Sequence, residues 1–275
     1  MKTLYITDLD GTLLNTKDKI SPKSLEIING LIEKGMHFTY ATARSLISAR
    51  KVTEGLRTDI PVIVYNGAFI MNARDGSILY SCAFLDSERE YVKELLKTHG
   101  IRPLVYSFVN GREKVSWHRD YINDGMQRYL DNRHGDPRMN PLDPHENLYA
   151  GEIFYYTCIG EKEELLPVYE KLKGDERYTC TLQQELYRPE YWCEIMPKKA
   201  TKAEAMKQLQ TLWECDRTVS FGDAVNDLPM FSQSQEAYAV ANAVPQLKEA
   251  ATGIIGGNEE DGVAMWLLEH VQIDG

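Results

Sequence analysis

Apolar positions along the chain follow two periods. Short β-prone runs occur at Leu4-Tyr5-Ile6, at 36–42, at 61–65 and at 218–221. Each is nearly continuous in apolar or hydroxyl residues, as buried parallel strands are. Between the first two, Leu25, Ile28, Leu31 and Ile32 repeat at helical spacing. Ser21-Pro22 marks the start of that helix and Gly35 its stop. A second helical stretch opens at Arg44 and runs to about Leu56. Strand, helix, strand, helix predicts an α/β fold with a doubly wound, mostly parallel sheet.

The pattern changes after 61–65. Asn66-Gly67 is a strong hairpin signal, with arms at 68–71 and 77–81 turned at Arg74-Asp75-Gly76. Beyond Phe84 the chain predicts a helix over 86–99, strands at 104–109 and 114–117, and a polar helix near 120–133. A Pro- and Asp-rich loop is expected at 135–144. Strands at 152–159, 178–182 and 191–196 bracket a helix at 162–173. This hairpin-rich middle predicts an inserted α+β domain over 84–194, between core segments 1–83 and 195–275. The core resumes at Thr201-Lys202-Ala203-Glu204, a capping box, with Ala205, Leu209 and Leu212 on the buried face. A strand at 218–221, one more at 239–241 and a closing helix at 262–268 complete it.

Composition narrows the function classes. The 275 residues are 43% hydrophobic and 26% charged, as in a globular protein, and carry a net charge of −10. That charge argues against sequence-independent nucleic-acid binding, and it obliges any anionic substrate to find a metal or placed Lys and Arg. The five cysteines (Cys82, Cys158, Cys180, Cys193 and Cys215) are scattered without C-x-x-C spacing. They read as mostly buried, inert thiols rather than zinc ligands or a disulfide framework. Asp8 and Asp10 interrupt what a signal peptide would need, and no apolar run reaches membrane-spanning length. A cytoplasmic protein without membrane or nucleic-acid partners is expected.

Three core strands end in reactive groups: Asp8 and Asp10 after the first, Thr42 after the second, and Asp223 with Asn226 and Asp227 after that at 218–221. Lys202 opens a helix on the same expected sheet edge, where open α/β sheets gather their ligands. Asp8, Asp10 and Asp223 would form a hard oxygen cluster suited to Mg2+. Asp8 would then attack phosphorus as a carboxylate nucleophile. Asp10 would protonate the leaving oxygen and later deprotonate water. Thr42 and Lys202 would hold the remaining phosphoryl oxygens.

The chain resembles the haloacid dehalogenase superfamily, in its Cof-type sugar-phosphatase-like branch. Asp8-Leu9-Asp10-Gly11-Thr12-Leu13 is similar to the D-x-D-G-T-L motif, and Ala41-Thr42-Ala43-Arg44 to A-T-G-R. The stretch from Glu194 to Ala203 is similar to E-I-x-P-K-G-V-x-K-G, and Gly222-Asp223-Ala224-Val225-Asn226-Asp227 to G-D-x-x-N-D. The Asn66-Gly67-Ala68, Ala241-Asn242-Ala243 and Asp261-Gly262-Val263 segments extend the likeness. The resemblance implies a Mg2+-dependent phosphohydrolase of small phosphorylated metabolites, sugar phosphates among them. It implies metal ligation by Asp8, Asp223, the backbone carbonyl of Asp10 and, through the water shell, Asp227. Phosphate contacts are implied for Thr42, Lys202, Asn226 and the backbone at Leu9 and Ala43. The insert resembles a class II, type B cap, with Arg188, Tyr191, Trp192 and Glu194 as candidate substrate residues; Tyr191 and Trp192 share a strand, so one should pack inward.

Three positions depart from the pattern: Ala43, Lys199 and Ala203 replace glycines. Lys202 keeps the capping-box position and is preferred to Lys198 or Lys199 as the phosphate lysine. Two other functions use the same residues. A phosphotransferase would differ only in its acceptor, and a receiver-like binding module would keep its phosphoryl group without turnover.

Overall fold

The first apolar run forms strand β1 (Thr3–Thr7), and the first helical repeat forms α1 (Pro22–Glu33). Ser21 caps α1 by accepting a hydrogen bond from Ser24 N at 3.0 Å. After β2 (His37–Tyr40), helix α2 (Leu46–Val52) starts later than the spacing predicts. Ser45 takes the N-cap there, accepting from Ser48 N, so Arg44 stays in the preceding loop. Strands β3 (Pro61–Val64), β4 (Phe69–Asn72) and β5 (Ile78–Ser81) make an antiparallel three-stranded sheet of their own. One parallel bridge, Ala41 to Ile63, ties it to β2's extension. The computed structural model describes residues 1–184 and 188–271.

A second compact unit, Cys82–Lys199, follows. Its elements are α3 (Asp86–Thr98), β6 (Leu104–Val109), β7 (Arg112–His118), α4 (Asp124–Asp131), β8 (Met139–Leu142), β9 (Glu152–Gly160), α5 (Lys162–Leu172), β10 (Tyr178–Gln184) and β11 (Tyr191–Pro197). The strands form one sheet in the order β10-β11-β9-β6-β7-β8, antiparallel except for the β7–β8 pair. Val92 and Leu96 of α3 and Leu165 and Val168 of α5 pack into a single core with that sheet. The expected loop at 135–144 contains β8 instead. Pro141 sits opposite Trp117 in this edge strand, where a missing N–H leaves no ladder bond unmade. The unit ends after Lys199 rather than after Glu194, because β11 pairs without a break up to Pro197.

The first unit, Met1–Ser81 with Ala200–Gly275, is completed by the C-terminal segment. It holds α6 (Lys202–Leu212), β12 (Arg217–Gly222), α7 (Leu228–Gln233), β13 (Glu236–Val240), α8 (Pro245–Ala250), β14 (Gly253–Ile255) and α9 (Gly262–His270). The sequence pattern leaves out α7, α8 and β14, which are too short to show a period. The five-stranded sheet β14-β13-β12-β1-β2 is parallel throughout. β1 lies between β12 and β2, with Thr7 level with both Phe221 and Tyr40. The residues that follow these three strands therefore emerge side by side, at the point where strand order reverses. Among the described residues, no helix is long and apolar enough to cross a membrane.

Gly67 joins the β3–β4 turn to the start of α6. It has φ +99°, and a methyl there would fall on the Thr201 carbonyl oxygen. Gly30, inside α1, has nothing within 4 Å of such a methyl. Gly67→Ala should cost about 2 kcal/mol or more and lower the thermal midpoint by about 4–8 °C. Gly30→Ala should raise it through helix propensity, by up to about 1 kcal/mol. Calorimetry of the two variants checks the pair, and shifts of the same sign would contradict the packing described.

Candidate active site

β1 delivers Asp8 directly into the interior. Its residue is 6% exposed, and its amide donates to Phe221 O at 3.0 Å, which pins it beside the end of β12. Leu9 is fully buried, while the Asp10 side chain keeps 48% of its surface. Strand alternation would put residues two apart on one face; it is the turn over Leu9–Leu13, just past the end of β1, that sends Asp8 inward and Asp10 outward. Gly11 turns the loop with φ +78°, and a methyl on it would fall on the Asp223 carboxylate. Glycine at this position is what lets the loop lie against Asp223. Thr12 hydroxyl donates to Asp223 Oδ1 at 2.9 Å, and Asn242 Nδ2 donates to Gly11 O at 2.7 Å.

β12 ends in Gly222 and supplies Asp223, followed by a single helical turn, Val225–Asp227. Asp227 is fully buried, and its Oδ2 accepts from the amides of Asp223 and Ala224, both at 3.2 Å. Lys202 stands in the first turn of α6, capped by Thr201, which accepts from Glu204 N at 3.1 Å. Only the threonine half of the predicted capping box forms, since the Glu204 carboxylate accepts from Gln208 instead. Lys202 is 3% exposed; its ammonium donates to Asp8 Oδ1 and, at 2.8 Å, to Asp227 Oδ1. Lys198 and Lys199 are exposed.

Charge in this cluster is unbalanced. Oxygens of Asp8, Asp223 and Asp227 lie within 4.8 Å of one another, and one ammonium serves them. Burial pushes the Asp8 carboxyl up to about 7; Lys202 pulls it back, and Asp227 and Asp223 push it further. Burial likewise raises Asp223, against the hydrogen bond from Thr12. Burial alone would lower Lys202, but the two carboxylates prevail and hold it raised, so it stays an ammonium. A second positive charge is what the site lacks, and three carboxylates are the hard donors a divalent cation prefers.

Thr42 is fully buried; its amide donates to Ile63 O, and its hydroxyl accepts from Arg44 N at 3.1 Å. Ala43 is exposed and does not adopt a left-handed backbone, so alanine in place of glycine carries no backbone strain there. Asn226 is exposed within the turn that ends at Asp227, and its side chain makes no hydrogen bond to another described residue. Thr12, Arg44 and Asn242 are contacts that motif spacing alone did not assign. Their signal is weak: a hydroxyl four residues after Asp8, an arginine two after Thr42, and an asparagine beyond a late strand.

In the second unit, Tyr191 packs against the core, whereas Trp192 lies against Tyr129, ring centroids 5.6 Å apart. One of the strand pair does pack inward, as alternation requires. Glu194, two residues on, shares the Trp192 face and bonds with the Tyr155 hydroxyl, whose titration it raises after burial has done so. Arg188 is exposed, its carbonyl accepting from Gln184 Nε2 at 3.0 Å.

The sequence pattern of the haloacid dehalogenase-like hydrolases matches residues 5–267. The chain is 27% identical to the Bacillus subtilis 5-amino-6-(5-phospho-D-ribitylamino)uracil phosphatase YwtE, over 97% of both chains. It is 26% identical to an HMP-PP phosphatase of Yersinia enterocolitica, over 97% of this chain and 94% of that one. A solved Thermotoga maritima structure superposes with a TM-score of 0.77 at 25% identity, covering 100% of this chain and 99% of its own. The parallel core, the antiparallel second sheet and the near-complete match agree: the chain belongs to the haloacid dehalogenase-like hydrolase family, and it is an enzyme of the phosphatase type.

Proposed function

We propose that the chain is a Mg2+-dependent phosphatase of small phosphorylated metabolites, working through an aspartyl-phosphate on Asp8. The observation that carries this reading is the cluster of buried Asp8 and Asp227, both paired with Lys202, and half-buried Asp223 beside them, at the carboxyl ends of parallel strands. The donor set is all oxygen and short of positive charge, so Asp8, Asp223 and Asp227 would hold Mg2+, with Asp10 adding its backbone carbonyl. When bound, Mg2+ neutralises the carboxylates and draws charge from the phosphoryl oxygens.

The protein's own groups then divide the reaction. An Asp8 oxygen attacks phosphorus while the bond to the leaving oxygen breaks, and Asp10 gives that oxygen a proton. Asp10 next takes a proton from water, whose oxygen attacks the acyl-phosphate; inorganic phosphate leaves and the Asp8 carboxylate returns. Lys202, the Thr42 hydroxyl, Asn226 and the amides at Leu9 and Ala43 hold the phosphoryl oxygens through the transfer.

Sugar and polyol phosphates are the substrate class favoured. The Bacillus subtilis relative acts on a molecule with a phosphorylated ribityl chain. Choice among such molecules falls to the second unit. There Trp192 and Glu194 share one sheet face, Arg188 is exposed, and Tyr191 is committed to packing. A reducing, cytoplasmic setting suits five free cysteines, three of them buried.

With an aryl phosphate as substrate, removal of Mg2+ by chelation and the Asp8→Asn change should each lower kcat by more than about a thousandfold. Equal rates in Asp8→Asn and the unaltered protein would end the nucleophile assignment. A second prediction concerns stability. Lys202→Met leaves two buried carboxylates facing each other, so urea unfolding in metal-free buffer should show a loss of about 3 kcal/mol. Added Mg2+ should restore part of it. An unchanged urea midpoint would mean that the lysine is not what neutralises this cluster.

A further inference from the structure

Arg44 has no part in the reaction just described, yet its guanidinium forks onto the Asp10 carboxylate. Nε lies 3.1 Å from Oδ1 and 3.0 Å from Oδ2, and Nη2 also donates to Oδ1. The same Nη2 lies 3.5 Å from Asp18 Oδ1. These carboxylates, with a further contribution from Asp8, raise the guanidinium's already high pKa, mainly through the Asp10 bond, so its charge is permanent.

Both ends of this contact matter. The Asp10 side chain is 48% exposed, so packing does not choose its rotamer. Among the described residues, no group other than Arg44 donates to its carboxylate. The arginine is by contrast anchored at its backbone. Its amide donates to Thr42 Oγ1 at 3.1 Å, and its carbonyl accepts from Tyr65 N at 3.0 Å. Asn66 N donates to Thr42 O at 2.9 Å, closing the loop against the β3–β4 turn. Tyr65 and Asn66 are both left-handed, with φ of 52° and 53°. A turn held in two sparsely populated conformations is over-determined by its surroundings, and it fixes where Arg44 starts.

We infer that Arg44 is a positioning residue: its planar fork orients the Asp10 carboxylate for proton transfer at the leaving-group oxygen. The inference rests on the acid role proposed for Asp10. Proton transfer needs donor and acceptor at hydrogen-bond distance in the transition state, and an exposed aspartate left to rotate spends much of its time elsewhere. A bidentate guanidinium fixes the carboxylate plane, which a lysine ammonium cannot do. Asp18 contacts the guanidinium from the exposed turn before α1, its own side chain 71% exposed, and limits its swing.

Leaving groups separate this role from others. The ratio kcat/KM reports the steps up to leaving-group departure. A dinitrophenolate leaves without a proton, whereas an alkoxide does not. With Mg2+ saturating, kcat/KM would be measured for an alkyl phosphate and for 2,4-dinitrophenyl phosphate in the unaltered protein, Asp10→Asn, Arg44→Gln and Arg44→Lys. Asp10→Asn should lose about 10²–10⁴ on the alkyl ester and little on the dinitrophenyl ester. Arg44→Gln should lose about 10–100-fold on the alkyl ester alone, the scale of a misplaced catalytic group, with Arg44→Lys between. An equal loss on both esters, or a rise in KM at constant kcat, would mean that Arg44 binds substrate or holds the fold, and the inference would fall. If Asp10→Asn shows leaving-group dependence and Arg44→Gln does not, the arginine's role falls and the acid assignment stands. If Asp10→Asn shows none, the acid assignment fails first and takes the inference with it.

Discussion

Two buried carboxylates, Asp8 and Asp227, share the Lys202 ammonium, and the rest of the first unit is arranged around that contact. Burying a carboxylate without a partner is costly, and three at one site would ordinarily be prohibitive. Three chain segments, distant in sequence, have to arrive together before any one of these charges is tolerable. β1 brings Asp8, the turn after β12 brings Asp223 and Asp227, and α6 brings the lysine. The site is therefore a condition on the fold as well as a product of it. It also remains short of positive charge, and a phosphatase can put that deficit to use.

Small contacts set the geometry around this cluster. Gly11 allows its loop to touch Asp223, Thr12 bonds the same carboxylate, and Asn242 holds the Gly11 carbonyl. On the other side, Gly67 seats the β3–β4 turn on the first residues of α6. Arg44 extends the same scheme outward, from the buried Thr42 to the half-exposed Asp10. A gradient of burial runs through the site, from Asp227 and Lys202 to Asp10. Buried members are fixed by packing and by one another; the outer carboxylate is fixed by a single ion-pair fork.

Much of this was legible in the linear chain. Buried parallel strands are continuous apolar runs, so 4–6, 36–42 and 218–221 declare themselves. Long helices with a cap and a stop, such as α1 and α6, do as well. What escaped is short or depends on neighbours. β14 has three residues and α7 and α8 six each, less than two turns of any periodic signal. β8 carries a proline that reads as loop, and only its edge position against β7 makes a strand of it. β3 reads as another core strand but heads a separate antiparallel sheet, because among the described residues its strand pairing to the β2 side is one isolated bridge, Ala41 to Ile63.

Residue type and spacing settled which groups could do chemistry: carboxylates after strands, a lysine opening a helix, a glycine at each tight turn. These are local properties, written in periods of two and 3.6 residues and in the chemistry of side chains. Tertiary structure alone decided which of them meet. Lys202 reached Asp8 across 194 positions of sequence, and Thr12 reached Asp223 across 211. Arg44 had a helix start and the last place of an A-T-G-R-like stretch to recommend it, but no partner until β1 and β2 were paired and brought it within a hydrogen bond of Asp10. Strand order is a long-range choice that the buried core makes as a whole, and no local period encodes it.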